Sequence, residues 1–422
     1  MSGGEKHSRR KTGSERRVAV VGMGLRSPIG NSLAEFVESL KGGRSGIRKM
    51  PEWEGIRRLR TKVAGVCTIE GEEKGIPRAY RRSMGRVSVL AALSAIDAVR
   101  QSGLREEEIA SPECGISYGS TAGSTLEQVE LIGRYILNSD LTGAPASSYL
   151  KCMSHTCAGN LSTLFRLQGP FIASCTACVS GSQGIGFGYE AIRSGKAEIM
   201  ITGGAEEMHF LHAAVFDLML ATSSRYNDDP SKTPRPFDAE RDGLVVAEGA
   251  GTLVLEEYEH AKRRGVQILA EVEGFWTNGS GLHLTDSDAL SIERCMRRAL
   301  GDAQRNAEDI QYVNAHATAT ANGDEAEAVA IHRVYGSKVP VTAIKGYTGH
   351  TLGASGAIEA IGTILMMREG FIVPTLNLER PDPDLPPLNH VMGSPMDKRI
   401  TVAVNNNFAF GGINTSMILS LP

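Results

Sequence analysis

The stretch from Ile172 to Gly195 places the strongest limit on how this chain can fold. It opens with apolar residues that favour a strand, turns at Thr176-Ala177-Cys178, and continues as a helix made largely of small residues. Glycine lowers the stability of a helix, so a helix this rich in glycine needs a packing reason. We therefore predict a buried helix with close neighbours, and the small residues that would allow it are Ser180, Gly181, Gly184, Gly186 and Gly188.

Cys178 would lie at the N-terminus of that helix. The helix dipole and the free N–H groups favour a thiolate there, so we expect Cys178 to be a nucleophile. Cys175 completes a C-x-x-C pair, which makes a thiol redox protein an alternative interpretation. No second C-x-x-C is present, and a zinc site of that type is unsupported. The seven cysteines are odd in number and scattered, which suits a reducing cytoplasm better than a disulfide framework.

Strands and helices alternate along the remaining sequence, in two stretches of similar order. This alternation predicts an α/β protein with parallel sheets. We assign residues 1–17 to a disordered basic tail, 18–262 to an N-terminal half and 263–422 to a C-terminal half. The predicted buried strands include Val18–Gly24, Cys114–Gly119, Ala197–Gly204, Ile310–Ala315, Val339–Ile344 and Ile400–Asn406.

The overall charge argues against two classes of function. A net charge of −3 gives no bulk attraction to nucleic acid or to a membrane surface. No apolar run approaches the roughly 20 residues of a membrane span, so no membrane-spanning segment is expected. The arginines at 78, 81 and 82 form a local basic cluster, which by itself is typical of a solvated face.

Three polar, glycine-rich stretches follow predicted strands of the second half, and they are Asn314–Thr320, Lys345–Gly356 and Asn405–Asn414. The first contains His316, and the second contains Lys345 and His350. Functional groups collect at the carboxyl ends of parallel strands, where these loops fall. A thiol, two imidazoles and a cation are the groups that an acyl-transfer enzyme needs. We therefore predict that these three residues and Cys178 form one catalytic site without a metal ion.

Four separated motifs resemble those of the elongating β-ketoacyl-acyl-carrier-protein synthases, which are condensing enzymes of the thiolase-like superfamily. They are T-A-C at 176–178, H-A-T-A-T at 316–320, K-G-Y-T-G-H at 345–350 and N-F-A-F-G-G-I-N at 407–414. Matching stretches at 235–243, 248–251 and 353–360 extend the resemblance over nearly the whole chain from Val18. The resemblance implies a thiolase-like fold, in which two similar βαβαβαββ halves form a five-layer αβαβα sandwich, usually as a dimer.

The resemblance also implies a 3-oxoacyl-acyl-carrier-protein synthase that extends fatty-acyl or polyketide chains by two carbons. Cys178 would accept the acyl group, and malonyl-carrier protein would then lose CO₂ and attack it as an enolate. His316 and His350 would donate from Nε2–H to the thioester oxygen. No cofactor is expected, because acyl-carrier protein carries both thioester substrates on its phosphopantetheine.

Further roles follow by the same resemblance. Lys345 would fix charge around the histidines, and the N–H groups of Cys178 and Phe410 would form an oxyanion hole, with Phe410 as the gate. The remaining expected residues are Glu359 and Asp324 in support of the catalytic side chains, Thr318 and Thr320 at the pantetheine arm, Ala122 and Phe408 at the acyl pocket, and Arg78, Arg81 and Arg82 as the carrier-protein patch.

The sequence departs from the family pattern at Ala317 and Ala409, where glycine is usual, and at Ile413, where threonine is usual. We expect alanine to stiffen the gate loop if that glycine has a positive φ.

Two histidines disfavour an initiating ketosynthase or a thiolase, which pair the cysteine with His/Asn or His/Cys. A homodimer is expected. The alternatives are one ketosynthase subunit of a heterodimer in a dedicated lipid, polyene or polyketide pathway, or a non-condensing subunit of the chain-length-factor type, which usually lacks the cysteine.

Overall fold

The computed structural model describes residues 16–282 and 288–422. In the N-terminal half the strands are β1 (Val18–Arg26), β2 (Ile47–Lys49), β3 (Val63–Gly65), β4 (Cys114–Gly119), β5 (Phe171–Ser174), β6 (Ile199–Glu206) and β7 (Gly249–Glu257). The helices are α1 (Leu33–Lys41), α2 (Arg78–Arg81), α3 (Arg86–Ser102), α4 (Glu106–Ile109), α5 (Thr125–Asn138), α6 (Ser148–Cys152), α7 (Thr156–Phe165), α8 (Ser180–Arg193), α9 (Phe210–Leu218) and α10 (Tyr258–Arg264).

The C-terminal half has more strands and fewer helices. Its strands are β8 (Ala270–Gly279), β9 (Tyr312–Asn314), β10 (Pro340–Thr342), β11 (Phe371–Ile372), β12 (Asn389–His390), β13 (Met396–Asp397), β14 (Val402–Ala409) and β15 (Ile413–Ser420). Its helices are α11 (Ala289–Asp302), α12 (Ala321–Tyr335), α13 (Lys345–Thr348) and α14 (Ser355–Glu369).

The two halves repeat one strand order within a single mixed sheet, β12-β10-β9-β14-β15-β8-β1-β7-β6-β4-β5. Outward from the β1–β8 seam, the N-terminal half runs β1, β7, β6, β4, β5 and the C-terminal half runs β8, β15, β14, β9, β10. In each half the three outer strands of this series are parallel, whereas the two nearest the seam pair antiparallel.

The predicted parallel pairing therefore holds for the three outer strands of each half but not for the strands next to the seam. Only three residues, 410–412, separate β14 from β15. Antiparallel strands can be joined by so short a turn, whereas parallel strands need a crossover of a dozen or more residues. β6 and β7 pair antiparallel in the same way in the N-terminal half.

The helices form three layers around the two halves of the sheet. α8 contacts β4 and β6, α14 contacts β7 and β14, and these two helices contact each other in the centre. α3 and α7 cover the outer side of the N-terminal half, and α11 and α12 cover that of the C-terminal half. This is the thiolase-like five-layer αβαβα arrangement, as predicted. No helix in the two described ranges combines the length and the apolarity needed to cross a bilayer.

The glycines of α8 allow its burial, which confirms the prediction made from its composition. A Cβ atom on Gly186 would lie 2.2 Å from the ring of Phe275, and one on Gly181 would lie 2.6 Å from the carbonyl oxygen of Gly353. Both distances are below any van der Waals contact. The central helix can therefore approach β8 and the C-terminal half only because these side chains are absent.

The described residues begin within the predicted tail. Residues 1–15 lie outside the described part of the chain. Arg16 and Arg17, assigned to the same tail, are fixed: Arg16 pairs with Glu198 at 2.5 Å, and Nε of Arg17 donates to Glu271 at 2.8 Å. The predicted disorder is thus wrong for these two residues, because one guanidinium pairs with a carboxylate just before β6 and the other with a carboxylate in β8. The predicted boundary after residue 262 falls within α10.

Candidate active site

A sharp turn between β5 and α8 carries Cys178. Ala177 has a φ of +52°, a left-handed conformation that is uncommon for alanine. Ser180 holds the turn in this shape, since its hydroxyl accepts from the Thr176 N–H at 2.9 Å and donates to the Ala177 carbonyl at 2.7 Å. Cys178 is buried there, whereas Cys175, also a free thiol, is exposed and donates to the Thr121 carbonyl.

The surroundings of Cys178 change one prediction. Burial raises the pKa of its thiol to about 12, and Glu206 acts in the same direction. The charge of Lys345 and the backbone N–H groups of Cys178 and Phe410 favour the thiolate but do not outweigh burial. The helix N-terminus was expected to favour a thiolate at Cys178, and removal from water acts against that expectation because it disfavours the charged form more strongly.

His316 and His350 meet at the same place from different segments. Their ring centroids are 5.2 Å apart and the ring planes are nearly perpendicular, at 86°. Burial lowers the pKa of both imidazoles well below the usual value, and the cation of Lys345 lowers it further. Both rings are therefore neutral near pH 7, which agrees with the predicted role as hydrogen-bond donors.

The hydrogen-bond partners assign the protons of these rings. Nζ of Lys345 lies 3.1 Å from Nδ1 of His316. An ammonium can only donate, so Nδ1 accepts and the ring proton of His316 is on Nε2. Nδ1 of His350 lies 2.9 Å from the hydroxyl of Ser355, which is able to donate in the same way. Each imidazole can thus present Nε2–H to the cavity.

Lys345 is held by a buried ion pair. It pairs with Glu359, and both side chains are almost completely shielded from solvent. The second oxygen of Glu359 accepts a hydrogen bond from Nδ2 of Asn407 at 2.6 Å. Removing one member of such a pair leaves an uncompensated buried charge, at a cost of about 3–5 kcal/mol. Glu359 therefore holds the Nζ group of Lys345, which in turn contacts Nδ1 of His316.

Two carboxylates at the start of α12 shape the loop that follows β9. Asp324 accepts from the N–H groups of Ala319 at 3.0 Å and Phe237 at 2.8 Å. Glu327 accepts from the N–H groups of His316 at 2.8 Å and Ala317 at 2.6 Å. Glu327 was not predicted from the sequence. It lies three residues after Asp324 on the same helix, and this spacing could have indicated its role.

One cavity is lined by half of the predicted residues, and Lys345, Glu359 and Asp324 lie behind its wall. Cys178, His316 and His350 line it, and the ring of Phe408 lies 5.9 Å from that of His316. The hydroxyls of Thr318 and Thr320 are 3.0 Å apart. Others of the predicted residues that line the same cavity are Thr318, Thr320, Phe408 and Phe410. Across residues 16–282 and 288–422, no group of three or more His, Cys, Asp or Glu side chains is arranged to hold a metal ion.

Four predicted residues lie elsewhere. Ala122 does not line the cavity; its carbonyl accepts from Nε2 of Gln128, although the adjacent Thr121 reaches the turn of Cys178. Arg78 and Arg82 are exposed, whereas Arg81 is half-buried and donates to the carbonyl of Glu73 at 2.9 Å. The acyl-pocket and carrier-protein assignments of these four residues stay predictions.

Of Ala319 and Ala409, only Ala319 has a strained backbone, although a stiffer loop was expected at Ala409. Ala409 is the last residue of β14, and its φ is not in the left-handed region. Ala319 has a φ of +68° instead, next to the carboxylate of Asp324 that accepts its N–H. Alanine is therefore strained in the loop after β9, and the gate keeps its positive φ angles at Gly411 and Gly412.

Comparison with known proteins gives consistent matches along the chain. The model of the β-ketoacyl synthase N-terminal domain matches residues 15–261, and that of the C-terminal domain matches residues 269–379. The 3-oxoacyl-[acyl-carrier-protein] synthase 1 of Haemophilus influenzae is 35% identical, over 96% of this chain and 98% of that protein. The tetracenomycin polyketide synthase ketoacyl synthase alpha subunit of Streptomyces glaucescens is 31% identical, over 97% and 98%.

Solved structures agree with the sequence matches. The crystal structure of a β-ketoacyl synthase from Burkholderia phymatum STM815 superposes with a TM-score of 0.94 at 44% identity, covering 96% of this chain and 100% of that one. The ishigamide ketosynthase/chain length factor superposes with a TM-score of 0.89 at 31% identity, covering 97% and 100%.

Proposed function

Because this chain belongs to the β-ketoacyl synthase family and is a condensing acyltransferase, we propose that Cys178 carries the acyl chain during the condensation. Cys178 is the cysteine that shares a cavity with two neutral imidazoles, and this juxtaposition is the observation that carries the proposal. The reaction is that of a 3-oxoacyl-acyl-carrier-protein synthase.

The first half-reaction transfers the acyl group. Sulfur of Cys178 attacks the carbonyl of an acyl thioester, the new C–S bond forms, and the old one breaks. The proton of the Cys178 thiol ends on the departing pantetheine thiol, so no net charge is created. The N–H groups of Cys178 and Phe410 point toward the sulfur. When the sulfur attacks, the carbonyl oxygen of the thioester becomes an oxyanion next to it, and these N–H groups would donate to that oxygen. Losing one such donor costs about 2.7–4 kcal/mol in enzymes of this type of chemistry.

The second half-reaction uses the two histidines. The bond between the malonyl α-carbon and its carboxylate breaks, CO₂ leaves, and the electron pair becomes an enolate on the thioester. The Nε2–H groups of His316 and His350 donate to that oxygen. Because both imidazoles are neutral, they stabilise the developing charge by hydrogen bonds without prior protonation. The enolate carbon then attacks the acyl carbonyl, and the C–S bond to Cys178 breaks. Its electron pair goes to the sulfur, which takes up one proton from solvent to restore the thiol.

The substrates would reach this cavity on a carrier protein. The hydroxyls of Thr318 and Thr320 line the cavity and would hold the amide groups of a phosphopantetheine arm. Exposed Arg78 and Arg82 would attract an acidic carrier-protein surface. One solved structure that this chain matches is a ketosynthase in complex with its type II polyketide acyl-carrier protein. No diffusible cofactor takes part in these steps.

A second copy of the chain would cover an apolar face of the N-terminal half. β5 is the end strand of the sheet, and Phe171 on it is 48% exposed. α5 and the segment after it bear further exposed apolar side chains, namely Leu126, Val129, Ile132, Tyr135, Ile136, Leu137, Leu141 and Tyr149. An uncovered edge strand beside an apolar face is typical of an interface. We favour a homodimer; a related subunit is the alternative, as in the ishigamide ketosynthase/chain length factor.

Intact-mass measurement tests the assignment of Cys178. The protein is incubated with a panel of acyl-carrier proteins bearing different acyl chains. The wild-type protein should gain the mass of one acyl group, and Cys178→Ala should gain none and should not condense. A matched Cys175→Ala variant should still be acylated, since Cys175 lies outside the cavity. Acylation of the Cys178→Ala protein would refute the proposal, and no acylation of the wild type would favour a non-condensing subunit.

A further inference from the structure

Glu206 is a buried carboxylate that the proposed mechanism does not use. It is the last residue of β6 and is fully shielded from solvent. Its Oε2 atom accepts hydrogen bonds from the N–H groups of Thr121 at 2.9 Å and Gly353 at 3.2 Å. Burial raises the pKa of this carboxyl to about 7. A buried group that can be charged is costly, so its position requires an explanation.

The two N–H groups that donate to Glu206 belong to two separate segments of the site. Thr121 follows β4, and its hydroxyl lies 3.4 Å from the carbonyl of Ala177, in the turn of Cys178. Gly353 follows His350 by three residues and leads into α14. A Cβ atom on Gly353 would lie 2.8 Å from N of Thr121 and 2.9 Å from Oε2 of Glu206, so nothing fits between these groups. One carboxylate therefore joins the turn of Cys178 to the segment from His350 to Gly353, here called the arm of His350.

The charge of Glu206 also acts on its titratable neighbours. Those that face it are Cys157 on α7, Cys175 and Cys178 around the turn before α8, and Glu207, the residue after β6. Burial raises the pKa of each of these groups, and the anion of Glu206 raises it further. At Cys178, the cation of Lys345 acts in the opposite direction. Glu206 is thus placed to offset Lys345 at the thiol.

We propose that Glu206 is a positioning residue of this condensing enzyme: its carboxylate holds the turn of Cys178 against the arm of His350, and its negative charge opposes formation of the free thiolate. The proposal rests on the assignment of Cys178 as the acyl acceptor. It gives the resting enzyme a protonated thiol beside a buried lysine, which limits its reaction with other electrophiles.

The charge is tested by Glu206→Gln. The amide oxygen can accept both N–H groups as before, but the negative charge is gone. We expect iodoacetamide to alkylate Cys178 about fivefold faster in this variant at pH 8, with the rate profile displaced to lower pH. The matched control is Glu207→Gln, which removes the adjacent buried charge that accepts from Val87 and Leu126; its rate should stay within about twofold of wild type. Identical profiles for Glu206→Gln and wild type would overturn the proposal.

The positioning is tested by Glu206→Ala, which removes the acceptor. Condensation should fall by about tenfold or more, and Glu206→Gln should condense at least about fivefold faster than Glu206→Ala. If Glu206→Ala does not fold, the alkylation profile of Glu206→Gln still decides. Absence of any acyl group on wild-type Cys178 would defeat the proposed function itself, whereas normal acylation with an unshifted Glu206→Gln profile would defeat only this inference.

Discussion

Burial keeps three titratable side chains of the catalytic cavity neutral. Removal from water disfavours the thiolate of Cys178 and the imidazolium forms of His316 and His350 alike. The side chains at the cavity therefore act through hydrogen bonds from neutral groups and not through a preformed thiolate–imidazolium ion pair. Lys345 supplies the positive charge, and its ion pair with Glu359 keeps that charge compensated.

The first prediction at this scale concerns the thiol of Cys178. Its pKa of about 12 means that the thiolate fraction grows as pH rises through the whole accessible range. We expect the rate of iodoacetamide alkylation to increase from pH 6 to 9.5 without a plateau, less steeply near pH 7, where Glu206 becomes charged, and by about tenfold per pH unit above pH 8. Peptide mass mapping gives the rate at Cys178. A plateau below pH 8 would show a thiolate that the helix N-terminus does stabilise.

The second prediction concerns the two imidazoles. His316→Ala and His350→Ala each remove one donor to the enolate oxygen, so decarboxylation of malonyl-carrier protein should fall by about 10²- to 10³-fold. The loss of malonyl-carrier protein is measured by mass spectrometry. Acylation of Cys178 should survive in both variants, because neither removes the N–H groups at the sulfur. Retained malonyl turnover in both variants would contradict the assigned roles.

At the scale of elements, α8 and α14 decide the geometry of the site. α8 begins at Ser180, two residues after Cys178, and α14 follows the arm of His350, so contact between these helices holds together the segments that carry the thiol and the imidazole. The small residues of α8 allow that contact. A change in this packing should therefore affect both stability and catalysis.

Gly186→Ala tests that packing. The new Cβ atom would lie 2.2 Å from the ring of Phe275, so the helix or the ring must shift. We expect a loss of about 1–3 kcal/mol in stability, seen as a lower midpoint of thermal unfolding. Gly301→Ala on α11 is the control, since a Cβ there meets nothing within 4 Å and should be neutral or stabilising. An unchanged midpoint for Gly186→Ala would contradict tight packing of α8.

At the scale of the whole molecule, one apolar face is left exposed by the described residues, 16–282 and 288–422. The face of α5 and the edge of β5 both belong to the N-terminal half, and both are exposed. Burial of apolar area drives association at about 25 cal/mol per Å². This face is the reason for proposing a second copy.

Ile136→Glu tests the proposed dimer. Ile136 on α5 is 70% exposed, and a charge there would be buried without a partner in the dimer. We expect the wild type to elute as a dimer and Ile136→Glu as a monomer in size-exclusion chromatography with light scattering. Leu290→Glu on α11, at a residue 58% exposed and outside this face, should remain a dimer. A monomeric wild type would refute the assembly.

Local sequence was sufficient wherever one segment determines its own structure. The strand Cys114–Gly119 matches β4 at both ends, because its apolar run is bounded by turn residues. The motifs around Cys178, His316, Lys345 and His350 indicated the family and the members of the cavity. By contrast, α5 was not predicted, because the segments on both sides of it are polar and rich in glycine, which is typical of a loop.

Tertiary structure decided what depends on residues far apart in the chain. The neutral state of Cys178 follows from burial by both halves, which no spacing within 172–195 can show. The roles of Glu327 and Glu206 follow from N–H groups that the fold brings to them. The pairing directions of the sheet depend likewise on connections between strands. Sequence thus determined which groups are present, and packing determined their charge and their partners, because desolvation and hydrogen bonding act through space.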